Sequence, residues 1–485
     1  MFNLVIENKV LNNSNSVVKG VMWSAIDRIA VVALQLIIEV VLARLLLPTD
    51  YGIIGMVAIF FAVAQVFVES GFMNALIQKQ DRTETDYSTV FFISLLLSIF
   101  IYFLLFLLAP YIAAFYKVEM LTSIIRILGT SIIINSLAIV FRTKLSILMD
   151  FKVQAKLSVI SVCISGVLGI FLAYHGYGVW ALVYQSICLY TLNTLFLALN
   201  LKWKPLFVFS KDSFTKLFGF GSKLLLAGLI QNIYSNLYSV LIGKVFPTRE
   251  LGLYSKSTQF TLYPSNIITN MFQRVMYPYL SKYQDDNAQL FILNKQYYRV
   301  ISMVFFPLFV GLGVLAEPFV KVLLSDKWID AVPLIRILAI AYLFFPFINI
   351  NMFVFQIKGK TSQFLLIEIL TKISGVLILI FTLKFGVLIM CYGLLFQHII
   401  QLCITSYYSD KAMNSSVFSQ IRSLIPLIIV SVVFSIITLI VIQLISISIF
   451  KLLVGALVLL ILYIGYYYSL MNKELKLIAG YFNKK

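Results

Sequence analysis

The chain has 485 residues, 61% of them hydrophobic and 12% charged, with a formal net charge of +18 and a mean hydropathy of +0.97. A soluble core cannot bury that much apolar surface, so the composition excludes a soluble globular protein and defines a polytopic membrane protein. The positive charge does not point to nucleic acid, because the basic residues are scattered among apolar stretches and form no single face with interleaved aromatics.

The first nineteen residues are polar, as in Asn12-Asn13-Ser14-Asn15-Ser16. They lack the charged leader, short apolar core and small-residue cleavage site of a signal peptide, so the first span is expected to remain as an uncleaved anchor. Fourteen apolar stretches follow, near residues 20–47, 51–78, 87–114, 120–146, 153–174, 178–200, 214–246, 250–280, 297–316, 331–357, 362–384, 386–409, 421–448 and 450–470. Each has the roughly 20 residues needed to cross a hydrocarbon layer of about 30 Å. In lipid such a run must satisfy its own backbone hydrogen bonds, and a barrel strand would be only about ten residues long, so all are predicted to be helices.

Lys and Arg set the orientation. Lys9, Lys19, Lys79, Arg82, Arg142, Lys144, Lys152, Lys156, Lys202, Lys204, Lys211, Lys216 and Lys223 fall on the side that holds both termini and the loops after even-numbered spans. The positive-inside rule makes that side cytoplasmic.

The first span carries Ser24, Arg28, Gln35 and Glu39 on one helical side. Charges at mid-membrane cost roughly 2.5–3.5 kcal/mol each, so they normally face protein or a wet cavity. The second span adds Gln65 and Glu69, and the fourth begins with Arg126. The eighth offers Asn266, Asn270, Gln273 and Arg274, and Arg336 opens the tenth. For Arg126 and Arg336 the competing reading is snorkelling to outer headgroups. For Arg28 and Glu39 it is an internal ion pair, and for Glu368 and Lys372 a local helical pair. Pro110, Pro264, Pro307, Pro346, Gly219 and Gly221 are expected to interrupt or bend helices.

The chain also repeats itself at an offset of about 200–210 residues. Pro48-Thr-Asp-Tyr-Gly52 is echoed by Pro247-Thr-Arg-Glu-Leu-Gly252, and Leu108-Ala-Pro110 by Leu315-Ala-Glu-Pro318. Ile125-Arg126-Ile-Leu128 returns as Ile335-Arg336-Ile-Leu338, and Ser165-Gly-Val-Leu168 as Ser374-Gly-Val-Leu377. Each repeat holds an even number of spans, so the copies share one orientation and are expected to relate by a pseudo-twofold along the membrane normal. The expected organisation is a cytoplasmic tail (1–19), a six-helix N-lobe (20–210), a six-helix C-lobe (211–412) and two appended helices with a cytoplasmic tail (413–485), the two lobes facing a central cavity. The offset maps the stripe of the first span onto Lys223, Ala227, Tyr234 and Tyr238 of the seventh. Gln35, Tyr234 and Tyr238 are therefore candidate cavity residues.

No phosphate-binding glycine loop, no Gly-x-Ser-x-Gly elbow and no zinc motif occurs. The outer loops are too short to hold the acids, bases or metal of a membrane glycosyltransferase or polymerase, so no enzyme activity is expected. Cys163, Cys188, Cys391 and Cys403 sit in apolar stretches without ligand spacing. No metal site and no cofactor are expected.

Lys19-Gly-Val-Met-Trp23-Ser-Ala-Ile26, Val41-Leu-Ala-Arg44 leading to Pro48-Thr-Asp-Tyr-Gly52, and Glu69-Ser-Gly-Phe72-Met-Asn-Ala-Leu-Ile-Gln78 form the most specific pattern in the chain. Ile267-Ile-Thr-Asn, Tyr277-Pro278-Tyr-Leu280, Lys327-Trp328 and Pro333-Leu-Ile follow it. Together they resemble the Wzx-type polysaccharide transporters, in the colanic-acid and teichuronic-acid exporter branch of the superfamily that also holds multidrug extruders and lipid II flippases. The resemblance covers roughly residues 19–410; the last two spans match only as hydrophobic helices.

The resemblance implies a flippase in the bacterial inner membrane that moves an undecaprenyl-diphosphate-linked oligosaccharide to the periplasmic leaflet by alternating access. A diphosphate needs cationic partners, and Arg28, Lys223 and Arg274 are the candidates for it. Asp27, Glu39 and Glu69 are candidates for a coupling H+ or Na+. The expected partners are the lipid-linked oligosaccharide, membrane lipids, and a polysaccharide polymerase with its export machinery. A multidrug extruder-like cation antiporter and a non-transporting scaffold of the assembly complex remain the alternatives.

Overall fold

The computed structural model describes residues 31–69 and 72–470, and within the seventh span it gives the backbone but not the side chains of Lys216, Phe220, Lys223, Leu224 and Ala227. The described residues are predominantly helical and contain no strand. The first helix, α1, is described over residues 31–45. It is followed by α2 (Pro48–Glu69), α3 (Phe72–Gln78), α4 (Glu84–Tyr116), α5 (Met120–Ile147), α6 (Phe151–Tyr174), α7 (Val179–Leu201) and α8 (Lys211–Val245). Then come α9 (Thr248–Ser281), α10 (Asn287–Val314), α11 (Ala316–Leu323), α12 (Ala331–Leu343), α13 (Phe345–Ile357), α14 (Thr361–Thr382), α15 (Val387–Ala412), α16 (Ser419–Gln443) and α17 (Ser448–Leu470).

Eleven described helical segments are long and apolar enough to cross a membrane. α8 and α9, with 35 and 34 residues, are each about 50 Å long at 1.5 Å per residue. The all-α, multi-pass architecture expected from the composition is therefore the one found.

Local chemistry explains the helix limits. α4 begins in a capping box, where the Asp86 backbone N–H donates to Thr83 Oγ1 (3.3 Å) and the Thr83 backbone N–H donates to Asp86 Oδ2 (2.7 Å). α10 starts ten residues before the apolar stretch at 297, because Asp286 caps it by accepting from the Gln289 backbone N–H at 3.0 Å. The expected interruptions are mostly absent. α4, α9 and α10 run through Pro110, Pro264 and Pro307, and α8 runs through Gly219 and Gly221. Neighbouring helices make such residues tolerable inside a membrane. Only Pro346 coincides with a break, dividing the tenth stretch into α12 and α13.

By packing, the chain divides into two compact units, with the boundary in sequence between Gly252 and Leu253. In the first, α4 pairs with α5, α6 with α7, and α5 with α7, while α2 touches α4, α5, α7 and α8. Ile38, Leu42 and Leu46 dock α1 onto Val162 of α6 and Leu182 of α7. α8, which the duplication assigns to the second repeat, packs in this unit against α2, α3 and α4. The link from α7 to α8 folds back onto α4. The Leu206 backbone N–H donates to Ser88 Oγ (2.9 Å), that of Ser210 to Thr89 Oγ1 (3.2 Å), and Trp203 Nε1 to Glu84 Oε2 (2.6 Å).

In the second unit α10 packs against α12, α16 and α17, and α15 against α12, α13 and α14. Its interior mixes aromatics such as Phe305, Phe306 and Phe347 with a hydrogen-bonded polar chain. Tyr298 donates to Asn351 (2.7 Å), which donates to Ser406 (2.9 Å). Gln420 donates to Asp410 at 2.7 Å. Pairing of this kind offsets the cost of burying polar groups in such a core.

The two copies of the turn motif meet directly. A Cβ added to Gly52 would lie 1.9 Å from the Thr248 carbonyl oxygen, and one on Gly252 would lie 1.7 Å from the Pro48 carbonyl oxygen. The first turns of α2 and α9 thus cross backbone to backbone, each through its own glycine. Gly52→Ala and Gly252→Ala should each force this crossing apart, costing roughly 1–3 kcal/mol or more as overpacking does, and lower the thermal midpoint of the purified protein. Gly219→Ala is the contrast, since its Cβ would meet nothing within 4 Å. It should leave the midpoint unchanged or raise it. Equal melting of all three variants would contradict the crossing.

Candidate functional site

One face of α2 organises the polar groups of the first unit. At about 100° per residue, Tyr51, Gln65 and Glu69 fall on the same side of this helix, spread over about 27 Å. One end of the face begins at the α1–α2 turn, where the Leu47 backbone N–H donates to Asp50 Oδ2 at 2.9 Å. There the Glu39 carboxylate of α1 lies beside the Tyr51 phenol, which Asp50 also faces. Glu39 and Tyr51 are half-buried and Gln35 is exposed.

The other end is built by three helices. Gln65 Nε2 donates to Glu69 Oε1 at 2.7 Å, and Glu69 is exposed. From α5, Arg142 Nη2 donates to Asn193 Oδ1 of α7 at 3.3 Å. Glu69 and Tyr190 are the charged and titratable groups that act on this guanidinium. The result is a cation within the helix bundle that is hydrogen-bonded to an amide and lies within the electrostatic reach of the Glu69 carboxylate and the Tyr190 phenol. Such an arrangement suits a passing anion: the Arg is pre-oriented by Asn193, and Glu69 is already exposed.

Arg142 enters sequence reasoning only as one of the inner positive charges. It lies five residues inside the end of α5. Ser131, Asn135 and Arg142 share a helical side at steps of four and seven, and that stripe is the signal that identifies it. Ser131 and Asn135 are buried, so the stripe faces protein.

The other candidates are distributed. Asp27 and Arg28, with Ser24, lie outside the described residues, as does the side chain of Lys223. Tyr234 and Tyr238 are half-buried on α8, which runs antiparallel to α2 with Gly228 near Val66 and Gly243 near Met56. Arg274 is exposed on α9, in line with the exposed Tyr263 and Asn270. Arg126 sits with its guanidinium carbon 4.3 Å from the centroid of the Phe106 ring.

Arg336 reaches Glu317 at 3.9 Å, and Lys321 pairs with the same carboxylate at 2.8 Å. The hydrogen bond from Lys321, together with the nearby charges of Lys321, Arg336 and Lys451, holds the Glu317 carboxyl below the ordinary carboxylate range. Its contribution to stability is present above the unfolded-state pKa and is lost as pH falls through the folded one. Glu368 and Lys372 form the local pair expected of them, at 3.2 Å.

Long apolar helices, a repeated turn motif and polar side chains gathered on helix faces define an all-α, multi-pass membrane protein. The lipid II flippase MurJ in its inward closed conformation superposes with a TM-score of 0.73, over 93% of this chain and 100% of that one, at 16% identity; this likeness concerns the fold alone. Residues 41–333 match the model of the polysaccharide biosynthesis protein family, and the chain belongs to that family. Among curated proteins it is similar to the teichuronic acid biosynthesis protein TuaB of Bacillus subtilis (strain 168), 26% identical across 72% of this chain and 73% of that protein. It is also similar to the succinoglycan biosynthesis transport protein ExoT of Rhizobium meliloti (strain 1021), 25% identical across 68% of this chain and 67% of that protein. The resemblance read from the first hairpin is thus upheld.

If Arg142 serves a passing anion, Arg142→Gln should lower polysaccharide export about tenfold, the equivalent of about 1.4 kcal/mol, while the protein still inserts. A purely structural pair predicts something else. The double variant Glu69→Gln/Arg142→Gln, which leaves no lone charge, would then restore export; we expect it to stay low.

Proposed function

We propose that this chain flips an undecaprenyl-diphosphate-linked oligosaccharide repeat unit from the cytoplasmic to the periplasmic leaflet of the bacterial inner membrane, for export as surface polysaccharide. Both termini lie on the cytoplasmic side. The observation that carries the reading is the polar face of α2, which links Glu39 and Tyr51 near one end of the span to Glu69 and Arg142 near the other. It runs through a lipid-flippase fold in a member of a polysaccharide biosynthesis family.

The cargo explains the mixture of groups. A diphosphate requires cations, and Arg28, Lys223 and Arg274 take this role together with Arg142. A glycan requires hydrogen-bonding partners that tolerate water, which Gln35, Tyr234 and Tyr238 supply. The polyprenyl tail is as apolar as the bilayer and stays in it. Arg126 and Arg336 serve the outer side, where the headgroup is released.

Transport follows alternating access, with the headgroup admitted from the cytoplasm and delivered to the periplasm. Asp27, Glu39 and Glu69 are the acids suited to a coupling H+ or Na+, because an acid beside a cation changes its ion or proton occupancy when an anion replaces it. A polysaccharide polymerase and its export machinery receive the product.

Deleting the protein should leave lipid-linked oligosaccharide in the inner leaflet, and Arg28→Glu should do the same while still inserting into the membrane. Drug sensitivity without such build-up would identify a multidrug extruder instead. Intact flipping with loss of polymer would identify a scaffold.

A further inference from the structure

Between α7 and α8 the chain leaves the helices for residues 202–210. This link carries the run Leu206-Phe207-Val208-Phe209, whose four side chains are all exposed, Phe207 to 94%. The run is nonetheless fixed in place. The Leu206 and Ser210 backbone N–H groups donate to Ser88 and Thr89 of α4. The Trp203 ring lies edge-on to Phe91 and Phe141, at 5.9 and 5.7 Å between centroids, and the Phe207 ring sits 5.7 Å from that of Phe92. Apolar side chains held outward on an ordered backbone mark an interaction surface.

Two neighbouring features identify the occupant. The first is charge: Lys202, Lys204 and Lys211 bracket the run and are exposed, and Asp212 is the one acid in residues 202–212. Glu84, the acid of α4 beside the link, is already held by Lys144 at 2.9 Å and by Trp203 at 2.6 Å. The second is the surface that the run continues. Phe92, Leu96, Ile99 and Phe103 follow one another at steps of four, three and four and so share one side of α4. Beyond Phe92 the other three are exposed. Phe207 thus prolongs an apolar stripe on a helix long and apolar enough to cross a membrane.

A soluble protein docked on Phe207 would have to share that stripe with the hydrocarbon layer, whereas a bilayer covers both. Irregular backbone exposed to lipid does not occur within the hydrocarbon layer, so the link belongs at its edge, at the depth where aromatic side chains meet headgroups. We propose that the α7–α8 link docks into the anionic cytoplasmic leaflet. Phe207 and Phe209 enter the acyl boundary beside α4, and Lys202, Lys204 and Lys211 bind the phosphates of anionic phospholipids. That leaflet carries the negative surface potential that draws lysines. The choice of leaflet rests on the orientation proposed above; the lipid contact itself does not. The docking fixes the start of α8, the helix packed along α2.

The test introduces Phe207→Trp into the full-length protein, reconstituted in bilayers of phosphatidylcholine and phosphatidylglycerol. Emission is read as the difference from wild type, so the native tryptophans cancel. Acyl chains brominated close to the headgroup should quench the added emission, and aqueous iodide should not. At equal mole fraction, brominated phosphatidylglycerol should be enriched at the added side chain about fivefold over brominated phosphatidylcholine, the attraction of about one lysine for an anionic leaflet. Lys202→Gln/Lys204→Gln/Lys211→Gln should abolish that preference and leave quenching by the brominated chains in place. All three side chains are exposed, so the fold is retained. Iodide access, or emission insensitive to the brominated chains, would overturn the proposal and leave the surface to a soluble partner. Equal enrichment of the two lipids, or a preference that survives loss of the three lysines, would overturn it as well. These readouts involve no transport, so failure of the flippase reading would leave them unchanged.

Discussion

The closest constraint in the molecule is the crossing of α2 and α9 through Gly52 and Gly252. At 1.9 and 1.7 Å from a virtual Cβ to a backbone carbonyl oxygen, the positions accept no side chain at all, and the two helix starts are held at the smallest separation that backbone permits. The polar face of α2 starts from this point. The turn fixes Asp50 beside the α1–α2 junction, Tyr51 follows one residue later, and Gln65 and Glu69 recur on the same face further down α2. A helix displaced by one methyl group at its start would carry that whole face with it, because packed helix interfaces do not deform gradually.

Much of this was legible in the residues. The apolar stretches, the helical class and the echo of Pro48–Gly52 at Pro247–Gly252 all follow from pattern and length, and the two copies of the motif do meet in space. Other features were hidden for identifiable reasons. Arg142 stands close enough to a helix end that a count of inner charges absorbs it, and only its tertiary partners Asn193 and Glu69 separate it from Lys144, which is engaged with Glu84 at 2.9 Å. The prolines at 110, 264 and 307 look like interruptions but sit inside continuous helices, because a membrane helix can lose one hydrogen bond where neighbours cover it. The start of α10 is set by one capping carboxylate, Asp286, which hydropathy does not register.

Duplication and packing divide the chain differently, and the difference has a physical meaning. Duplication groups α8 with the second set of helices, yet α8 packs on α2, α3 and α4 and its preceding link is tied down to Glu84, Ser88 and Thr89 of α4. The helix that the sequence echo assigns to the second repeat is thus packed with the helices of the first unit. Its polar residues then stand beside α2 from the start, with Tyr234 and Tyr238 on a helix that passes Val66 and Met56.

The ionic groups also differ in how firmly they are committed. Lys144 is occupied: it holds Glu84 and lies 4.3 and 4.7 Å from the Tyr87 and Trp203 rings. Lys79 is occupied by Asp86 at 2.7 Å. Each makes a contact that fixes helix ends. Arg142 is held differently, by one hydrogen bond of 3.3 Å to the Asn193 side-chain amide, with the charge of Glu69 acting on it from α2. Removing a charge from a direct pair leaves an uncompensated partner and costs stability. What sets Lys79 and Lys144 apart from Arg142 is therefore the direct ion pair that each lysine makes, at 2.7 and 2.9 Å, and depth in the membrane alone would not have drawn that line.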